Sequence, residues 1–147
     1  MDGGFEPLLD AVQGPRQGTD LVVAALGNPG PELAALEPLN LYGRSKQEFD
    51  LWALASGALG RIAALKYFNV YGPNEWHKGG MRSMVCKGYE QVRDTGRVRL
   101  FESDRPEYAD GGQQRDFVYV KDAVDMTLWF LDHPEHNGVF NVGTGEA

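Results

Sequence analysis

The sequence predicts an α/β fold, and three observations carry that prediction. Short apolar runs typical of strands alternate with helical stretches from residue 45 to the C-terminus. Glycine and proline stand at the boundaries of these stretches, as at Gly60 and Gly72-Pro73. The 147 residues are 42% hydrophobic and 24% charged, which is typical of one globular domain with an apolar core.

The elements follow in order along the chain. A helix is predicted over residues 45–59; its second half is apolar on nearly every side, so we expect burial on more than one side. Gly60 suits the end of this helix. A buried strand over residues 61–70 comes next, because large apolar and aromatic side chains are dense there. The later elements are a helix over 81–94, strands over 98–102 and 117–120, a helix over 121–131 and a strand over 139–142.

The N-terminal region differs in composition from the rest of the chain. Residues 1–30 are rich in glycine, proline, aspartate and glutamine, so we expect them to be poorly ordered or loosely packed. The apolar run Leu21–Leu26 fits a short buried strand. The chain therefore divides into an atypical segment, 1–30, and the remainder, 31–147. Within the remainder, residues 74–80 and 103–114 are predicted loops.

Composition and charge exclude several classes of function. Lys and Arg number 14 against 21 Asp and Glu, a net charge of −7, which argues against a general nucleic-acid binder. No apolar run approaches the roughly 18 residues of a membrane span, and we expect no secretory signal. The lone Cys86 excludes an internal disulfide and indicates a cytoplasmic setting. The three histidines lack a metal-binding spacing, so no metal site is predicted.

The first pattern that suggests chemistry is Tyr42-x-x-x-Lys46. Residues four apart on a helix lie on one face, with β-carbons about 6 Å apart. A lysine ammonium beside a phenol stabilises the phenolate, which makes a tyrosine usable as a general acid or base near neutrality. The same spacing also fits a tyrosine and a lysine on a solvated helix face.

The pattern belongs to a longer series of motifs. They occur in the order Tyr42–Lys46 (YGRSK), Tyr67–Pro73 (YFNVYGP), Arg115–Asp122 (RDFVYVKD) and Phe140–Gly145 (FNVGTG). This order resembles the C-terminal half of the extended short-chain dehydrogenase/reductase family of nucleotide-sugar epimerases and dehydratases. The segment PLNL before the tyrosine and the loop EWHKGGM after Gly-Pro are similar to the family's ADP-heptose 6-epimerase subgroup. The resemblance covers about residues 31–147.

The resemblance implies a role for each matching residue. Tyr42 corresponds to the catalytic tyrosine, and Lys46 to the lysine that holds the nicotinamide ribose. Lys78 corresponds to a second acid/base. The implied reaction, an isomerisation, inverts C6 of ADP-D-glycero-D-manno-heptose through a transient ketone, with a bound NADP (NAD being the other option) taking and returning the hydride. The remaining implied contacts are Val70 to the cofactor and Asn69, Phe101, Glu102 and Arg115 to the substrate.

The resemblance also implies a fold, and it leaves two alternative functions open. The fold would be the second half of a Rossmann-like doubly wound sheet plus part of a small α/β substrate domain, in a bacterial cytoplasmic enzyme that is a homo-oligomer when complete. The glycine-rich loop that binds the dinucleotide diphosphate is absent from this sequence, so we expect the chain alone to be inactive. Two other readings remain: an epimerase or dehydratase of another nucleotide sugar, and a catalytically inactive fragment.

Overall fold

A computed structural model describes residues 22–25, 34–38, 40–103 and 106–146. Five strands, three helices and two further helical residues at 34–35 lie in these residues and form a mixed α/β fold, which confirms the predicted class. Two short 3₁₀ helices, Ala58–Gly60 and Trp76–Met81, accompany them. In chain order the elements are β1 Val22–Ala25, α1 Leu41–Ala55, β2 Ala63–Tyr67, β3 Asn69–Tyr71, α2 Met84–Thr95, β4 Phe117–Tyr119, α3 Val120–Asp132 and β5 Gly138–Gly143.

The described strands form two sheets. In the larger sheet β5 lies between β1, which is antiparallel to it, and β2, which is parallel, with Leu65 opposite Phe140. In the smaller sheet β3 and β4 are parallel. Within the described residues β2 pairs with β5 alone, so one side of β2 is an unpaired edge.

The prediction of one strand over residues 61–70 is wrong, because the chain changes sheets at Phe68. The Phe68 N–H donates to the Val142 carbonyl of β5 at 3.1 Å. The next N–H, of Asn69, donates to the Asp116 carbonyl ahead of β4, also at 3.1 Å. One continuous apolar run therefore supplies strands to two sheets, and hydropathy alone does not mark such a change of partner.

The first helix begins and ends four residues earlier than predicted. The Asn40 side chain accepts a hydrogen bond from the Gly43 N–H at 2.8 Å, which caps the N-terminus of α1. Gly57, in the left-handed region at φ 73°, follows its C-terminus. The expectation of burial on more than one side is also wrong: among the residues of α1 only Asp50 and Ala53 are buried, and Trp52 is 59% exposed.

The strand predicted over residues 98–102 is not formed. The Arg99 N–H donates to the Gln91 side chain at 2.7 Å, and the Phe101 carbonyl accepts from the Gly111 N–H at 2.9 Å. These bonds turn the segment back on α2 and on its own loop, and leave Leu100 and Phe101 largely exposed. Helix α2 itself begins after Ser83, whose hydroxyl caps the Cys86 N–H at 3.1 Å, and ends at Gly96.

The main core lies between α3 and strands β4 and β5. Helix α3 and both strands agree with the predicted elements to within one residue at each end. The six buried side chains of this core are Val118, Ala123, Met126, Phe130, Phe140 and Val142. A smaller cluster of Ala53, Leu59 and Val139 attaches α1 to the other face of β5.

Of the predictions for residues 1–30, only the strand within the run Leu21–Leu26 falls on described residues. Strand β1, inside the apolar run Leu21–Leu26, pairs with β5 from Val22↔Gly143 to Ala25↔Phe140. The strand suggested by that run therefore forms; the other residues of 1–30 lie outside the described residues. In the parts of the chain that the structure describes, no helix is both long and apolar enough to cross a bilayer.

We expect Val142→Ala to destabilise the fold by about 2 kcal/mol, because two buried methyl groups are lost and a cavity remains. Val142 is fully buried on β5. Urea unfolding followed by circular dichroism measures the change. Val124→Ala is the matched control, since Val124 on α3 is 49% exposed; its effect is expected within about 0.5 kcal/mol. Equal losses in both variants would contradict this description of the core.

Candidate active site

A cavity of about 860 Å³ lies beside the small sheet. Its walls come from β3, from the residues around the 3₁₀ helix Trp76–Met81, and from the irregular segment between residues 100 and 115. Six of the eight predicted site residues line it: Asn69, Val70, Lys78, Phe101, Glu102 and Arg115. The fold therefore brings together residues that are far apart in the sequence.

The pairing of β3 with β4 explains why Asn69 and Arg115 share this cavity. Asn69 opens β3 and is opposite Phe117, so the residues just before β4 lie beside it. The Asn69 backbone N–H and its side-chain amide both donate to the Asp116 carbonyl, at 3.1 and 3.2 Å. The parallel register thus fixes one wall of the cavity.

Asp116 attaches that wall to the end of β5. Its carboxylate accepts from the Thr144 N–H at 2.9 Å, the Thr144 hydroxyl at 2.8 Å and the Gly145 N–H at 3.0 Å. A β-carbon at position 143 would lie 2.5 Å from the Asp116 carboxylate and 2.6 Å from the Phe68 ring, so this close approach requires Gly143. The Gly-Thr-Gly motif therefore holds a carboxylate of the chain itself.

Glu75, which sequence reasoning did not single out, closes the loop that carries Lys78. It is 5% exposed, and its carboxylate accepts from the Gly72 N–H at 2.9 Å, the Ser83 N–H at 2.6 Å and the Ser83 hydroxyl at 2.9 Å. Burial alone would raise the pKa of Glu75, but these hydrogen bonds and the positive charge of Lys78 outweigh it and lower the pKa. A single acidic residue in a loop has no sequence pattern that marks this role.

Arg82 fixes the other side of the same loop. Its Nε donates to the Gly79 carbonyl at 2.8 Å, and its Nη1 to the Glu90 carboxylate on α2 at 2.6 Å. The hydrogen bond to Glu90 raises the pKa of the Arg82 guanidinium. The guanidinium also lies 5.7 Å from the Trp76 ring centroid. Arg82 therefore joins the loop to α2 through Glu90 and also closes a turn within the loop through the Gly79 carbonyl.

Three cationic side chains of the cavity are available to an anion. Lys78, Lys87 and Arg115 all line it. Within residues 40–103 and 106–146, none of the three is within ion-pair distance of a carboxylate; Arg115 donates to the Gln114 carbonyl at 2.7 Å. Guanidinium and ammonium groups that keep free donors suit a phosphate or diphosphate.

Tyr42 and Lys46 lie elsewhere, on the first turns of α1. The Lys46 ammonium is 4.4 Å from the centroid of the Tyr42 ring, so the predicted pairing on one helix face is formed. Tyr42 is 71% exposed, and neither residue lines the cavity. The structure thus pairs Tyr42 with Lys46 but does not bring them to Lys78.

Comparisons with known proteins agree on one family. A family model described as "NAD dependent epimerase/dehydratase family" matches residues 17–143. A protein of Nitratidesulfovibrio vulgaris (strain DP4) is 63% identical over 112 residues, which is 76% of this chain and 35% of that protein. One of Alkalilimnicola ehrlichii is 53% identical over 112 residues, with 75% and 35% covered. Both are named ADP-L-glycero-D-manno-heptose-6-epimerase.

A solved structure agrees with the sequence comparisons. The crystal structure of the Helicobacter pylori ADP-L-glycero-D-manno-heptose-6-epimerase matches with a TM-score of 0.59 and 34% identity, covering 73% of this chain and 32% of that one. The chain therefore has part of a Rossmann-like epimerase fold, which confirms the fold that the resemblance implied. It spans about a third of the length of the relatives it matches.

Glu75→Gln is expected to destabilise the fold by about 2 kcal/mol at neutral pH, because a buried carboxylate that accepts three hydrogen bonds is replaced by an amide. The pKa of Glu75 lies below its ordinary value of 4.5 in the fold. The ionised group therefore stabilises the fold above pH 4.5, and this contribution disappears as the pH falls through the lowered pKa.

The measurement is urea unfolding of both proteins at neutral pH and at steps below pH 4.5. The difference between them should shrink in acid. Glu48→Gln, on the exposed surface of α1, is the control and should change stability by less than about 0.5 kcal/mol. A difference that stays constant into acid would show that the Glu75 charge is not the cause.

Proposed function

The chain belongs to the NAD-dependent epimerase/dehydratase family, and we propose that it is part of an isomerase that inverts C6 of ADP-D-glycero-D-manno-heptose. Residues 31–147 would be the C-terminal portion of that enzyme. The observation that carries the proposal is the cavity, which gathers six residues that the epimerase resemblance implies. Of the four positively charged residues that line it, Arg82 is paired with Glu90, and the other three have no ion pair among the described residues. One wall is the loop that is similar to that of the heptose subgroup. The names of the relatives support the same substrate.

The residues of this chain fit part of a nicotinamide dinucleotide site. The Lys46 ammonium and the Tyr42 hydroxyl lie on an open helix face, and the half-buried Val70 offers an apolar contact at the cavity edge. We propose that Lys46 and Val70 hold the nicotinamide end of NADP. When bound, NADP supplies a reversible acceptor for the hydride of a secondary alcohol.

Tyr42 would act as the first acid/base. The Lys46 ammonium lies 4.4 Å from the centroid of the Tyr42 ring, so a positive charge stands beside the proposed proton carrier. A phenolate can take the proton of the C6 hydroxyl as a ketone forms, and the phenol can return it. The exposure of Tyr42 in this chain leaves its hydroxyl free to meet a substrate.

Lys78 would act as the second acid/base. Inversion requires that the hydride return to the face of the ketone opposite to the one it left. The new hydroxyl then forms on the other side of C6, and a second proton carrier there can protonate it without any movement of Tyr42. Lys78 lies in a loop held at both ends, on a different element from Tyr42, so the two groups can approach one carbon from different directions. Its ammonium is free of ion pairs among the described residues.

The other lining residues would bind the ADP-heptose. Arg115 offers a planar fork of donors for the diphosphate. Asn69, at the start of β3, would donate to a sugar hydroxyl, and Glu102 would accept from one. Phe101, 63% exposed at the cavity, presents a ring on which an adenine or sugar face can stack. The lone cysteine agrees with a cytoplasmic enzyme, the setting we propose.

Binding of the nucleotide sugar gives the first test. Isothermal titration calorimetry of the chain with ADP-heptose should show binding that Arg115→Ala weakens roughly tenfold or more, since a charge-assisted hydrogen bond is lost. Arg61→Ala is the control, because Arg61 is exposed and does not line the cavity. Tighter binding of a UDP-, GDP- or dTDP-sugar would favour another substrate, and no binding of any of them would favour an inactive fragment.

Catalysis is tested in a complete enzyme. The 112 residues matched in the Nitratidesulfovibrio vulgaris relative are replaced by those of this chain, and C6 inversion is followed by chromatography. The chimera should epimerise ADP-heptose, and Tyr42→Phe and Lys78→Met should each lower the rate by about 10²–10⁴-fold, the usual effect of losing a general acid/base.

Lys121→Met is the matched control in the chimera. Lys121 is exposed on α3 and does not line the cavity, so the rate should be unchanged. Unchanged turnover in both Tyr42→Phe and Lys78→Met would overturn the proposed roles.

A further inference from the structure

We propose that Glu75 is the positioning residue for Lys78: its buried carboxylate joins the two ends of the loop and so holds the ammonium at the cavity. This inference rests on the proposed function, which gives Lys78 its role. It gives Glu75 a role that the resemblance does not imply: Glu75 lines the cavity, but the proposed mechanism places neither the substrate nor the cofactor on its carboxylate.

The first ground is geometric. Gly72 and Ser83 stand at the two ends of the loop, and Lys78 lies between them. One oxygen of Glu75 accepts from the Gly72 N–H at 2.9 Å, and the other from the Ser83 N–H at 2.6 Å. The Lys78 N–H in turn donates to the Glu75 carbonyl at 2.9 Å. One side chain therefore fixes both ends of the loop, and its backbone fixes the middle.

The second ground is the connection to α2. The Ser83 hydroxyl donates to Glu75 at 2.9 Å and accepts from the Cys86 N–H at 3.1 Å. The Ser83 hydroxyl, which caps α2, is thus the same hydroxyl that Glu75 binds. Glu75 therefore fixes the position of the loop relative to α2, the helix that also carries Lys87. Loss of the carboxylate would free the loop from this helix end while leaving Lys87 on it.

The third ground is that Glu75 supplies the buried side chain of this loop. Trp76, Lys78 and Met81 are all exposed, and in this loop the only buried side chain is that of Glu75. An exposed loop with little apolar burial depends on its hydrogen bonds for order. The bond from Arg82 to the Gly79 carbonyl holds the far turn, but it does not join the ends.

Periodate-oxidised ADP-heptose, which carries aldehydes on the heptose, C6 included, as well as on the ribose, is trapped on lysines with borohydride and tests the proposal in the whole 147-residue chain. Mass spectrometry gives the labelling of Lys78 relative to Lys87, and competition by ADP shows which labelling occurs in the cavity. In Glu75→Gln the Lys78-to-Lys87 ratio should fall roughly tenfold, because a misplaced group loses its proximity to the bound reagent. General destabilisation would lower both labels and leave the ratio unchanged.

Two further variants complete the design. Glu135→Gln, which removes an exposed carboxylate that does not line the cavity, should leave the ratio as in the wild type. Ser83→Ala removes one of the three donors to Glu75 and should give an intermediate ratio. If Glu75→Gln loses the Lys87 label as well, the Lys78-to-Lys87 ratio is taken from Ser83→Ala instead. A ratio in Ser83→Ala equal to that of the wild type overturns the proposal.

Failure of the proposed function gives a different result. In that case ADP would protect neither lysine in the wild-type chain. The loop is then followed directly by the ¹H–¹⁵N heteronuclear NOE, with the amides of α2 as internal reference. A reduced NOE at Lys78 in Glu75→Gln, with α2 unchanged, supports Glu75 as the residue that orders the loop. An NOE equal to that of the wild type overturns it.

Discussion

Strand β5 is the element on which the rest of the described structure depends. It pairs with β1 on one side and β2 on the other, and its side chains Phe140 and Val142 contact α3 on one face while Val139 contacts α1 on the opposite face. A strand covered on both faces carries apolar side chains on each face, and Val139, Phe140 and Val142 supply them, whereas the polar Asn141 between them is only half-buried. Both helical layers and both neighbouring strands are therefore placed relative to a single strand.

The end of β5 also connects this core to the cavity. The Gly-Thr-Gly turn that follows it holds the Asp116 carboxylate, and the Asp116 carbonyl holds Asn69. A shift of β5 would therefore move the wall that carries Asn69 and Arg115. Stability and site geometry are coupled here by hydrogen bonds to one residue, not by apolar contact alone.

The two proposed acid/base groups are held in contrasting ways. Lys78 stands in a loop with a buried carboxylate at its base, whereas Tyr42 stands on a helix that is attached to β5 by few buried side chains. An ion pair between the buried Asp50 and Lys66 of β2 adds to that attachment. The apolar residues Phe49 and Trp52 remain exposed on α1, which shows how little of that helix the described residues cover.

The sequence by itself determined the α/β class, the helices α2 and α3, and strands β4 and β5, and its resemblance to a family implied six of the residues that line the cavity. These depend on local signals: hydrophobic periodicity, capping by serine and glycine, and motifs of fixed spacing. The site residues Asn69, Phe101 and Arg115 were implied by the resemblance to the epimerase family, since their residue types alone do not mark them. The pairing of Tyr42 with Lys46 likewise follows from helix geometry alone.

Only the tertiary structure decided the change of sheet at Phe68, the absence of a strand at residues 98–102, the exposure of α1, and the roles of Glu75 and Asp116. Each depends on a partner distant in the sequence: a carbonyl of β5, the side chain of Gln91, the missing cover on a helix face, the N–H groups of Gly72 and Ser83. Apolar residues predict burial only where another surface covers them, and a carboxylate becomes a structural acceptor only where the fold turns N–H groups toward it. Periodicity has no information about either condition.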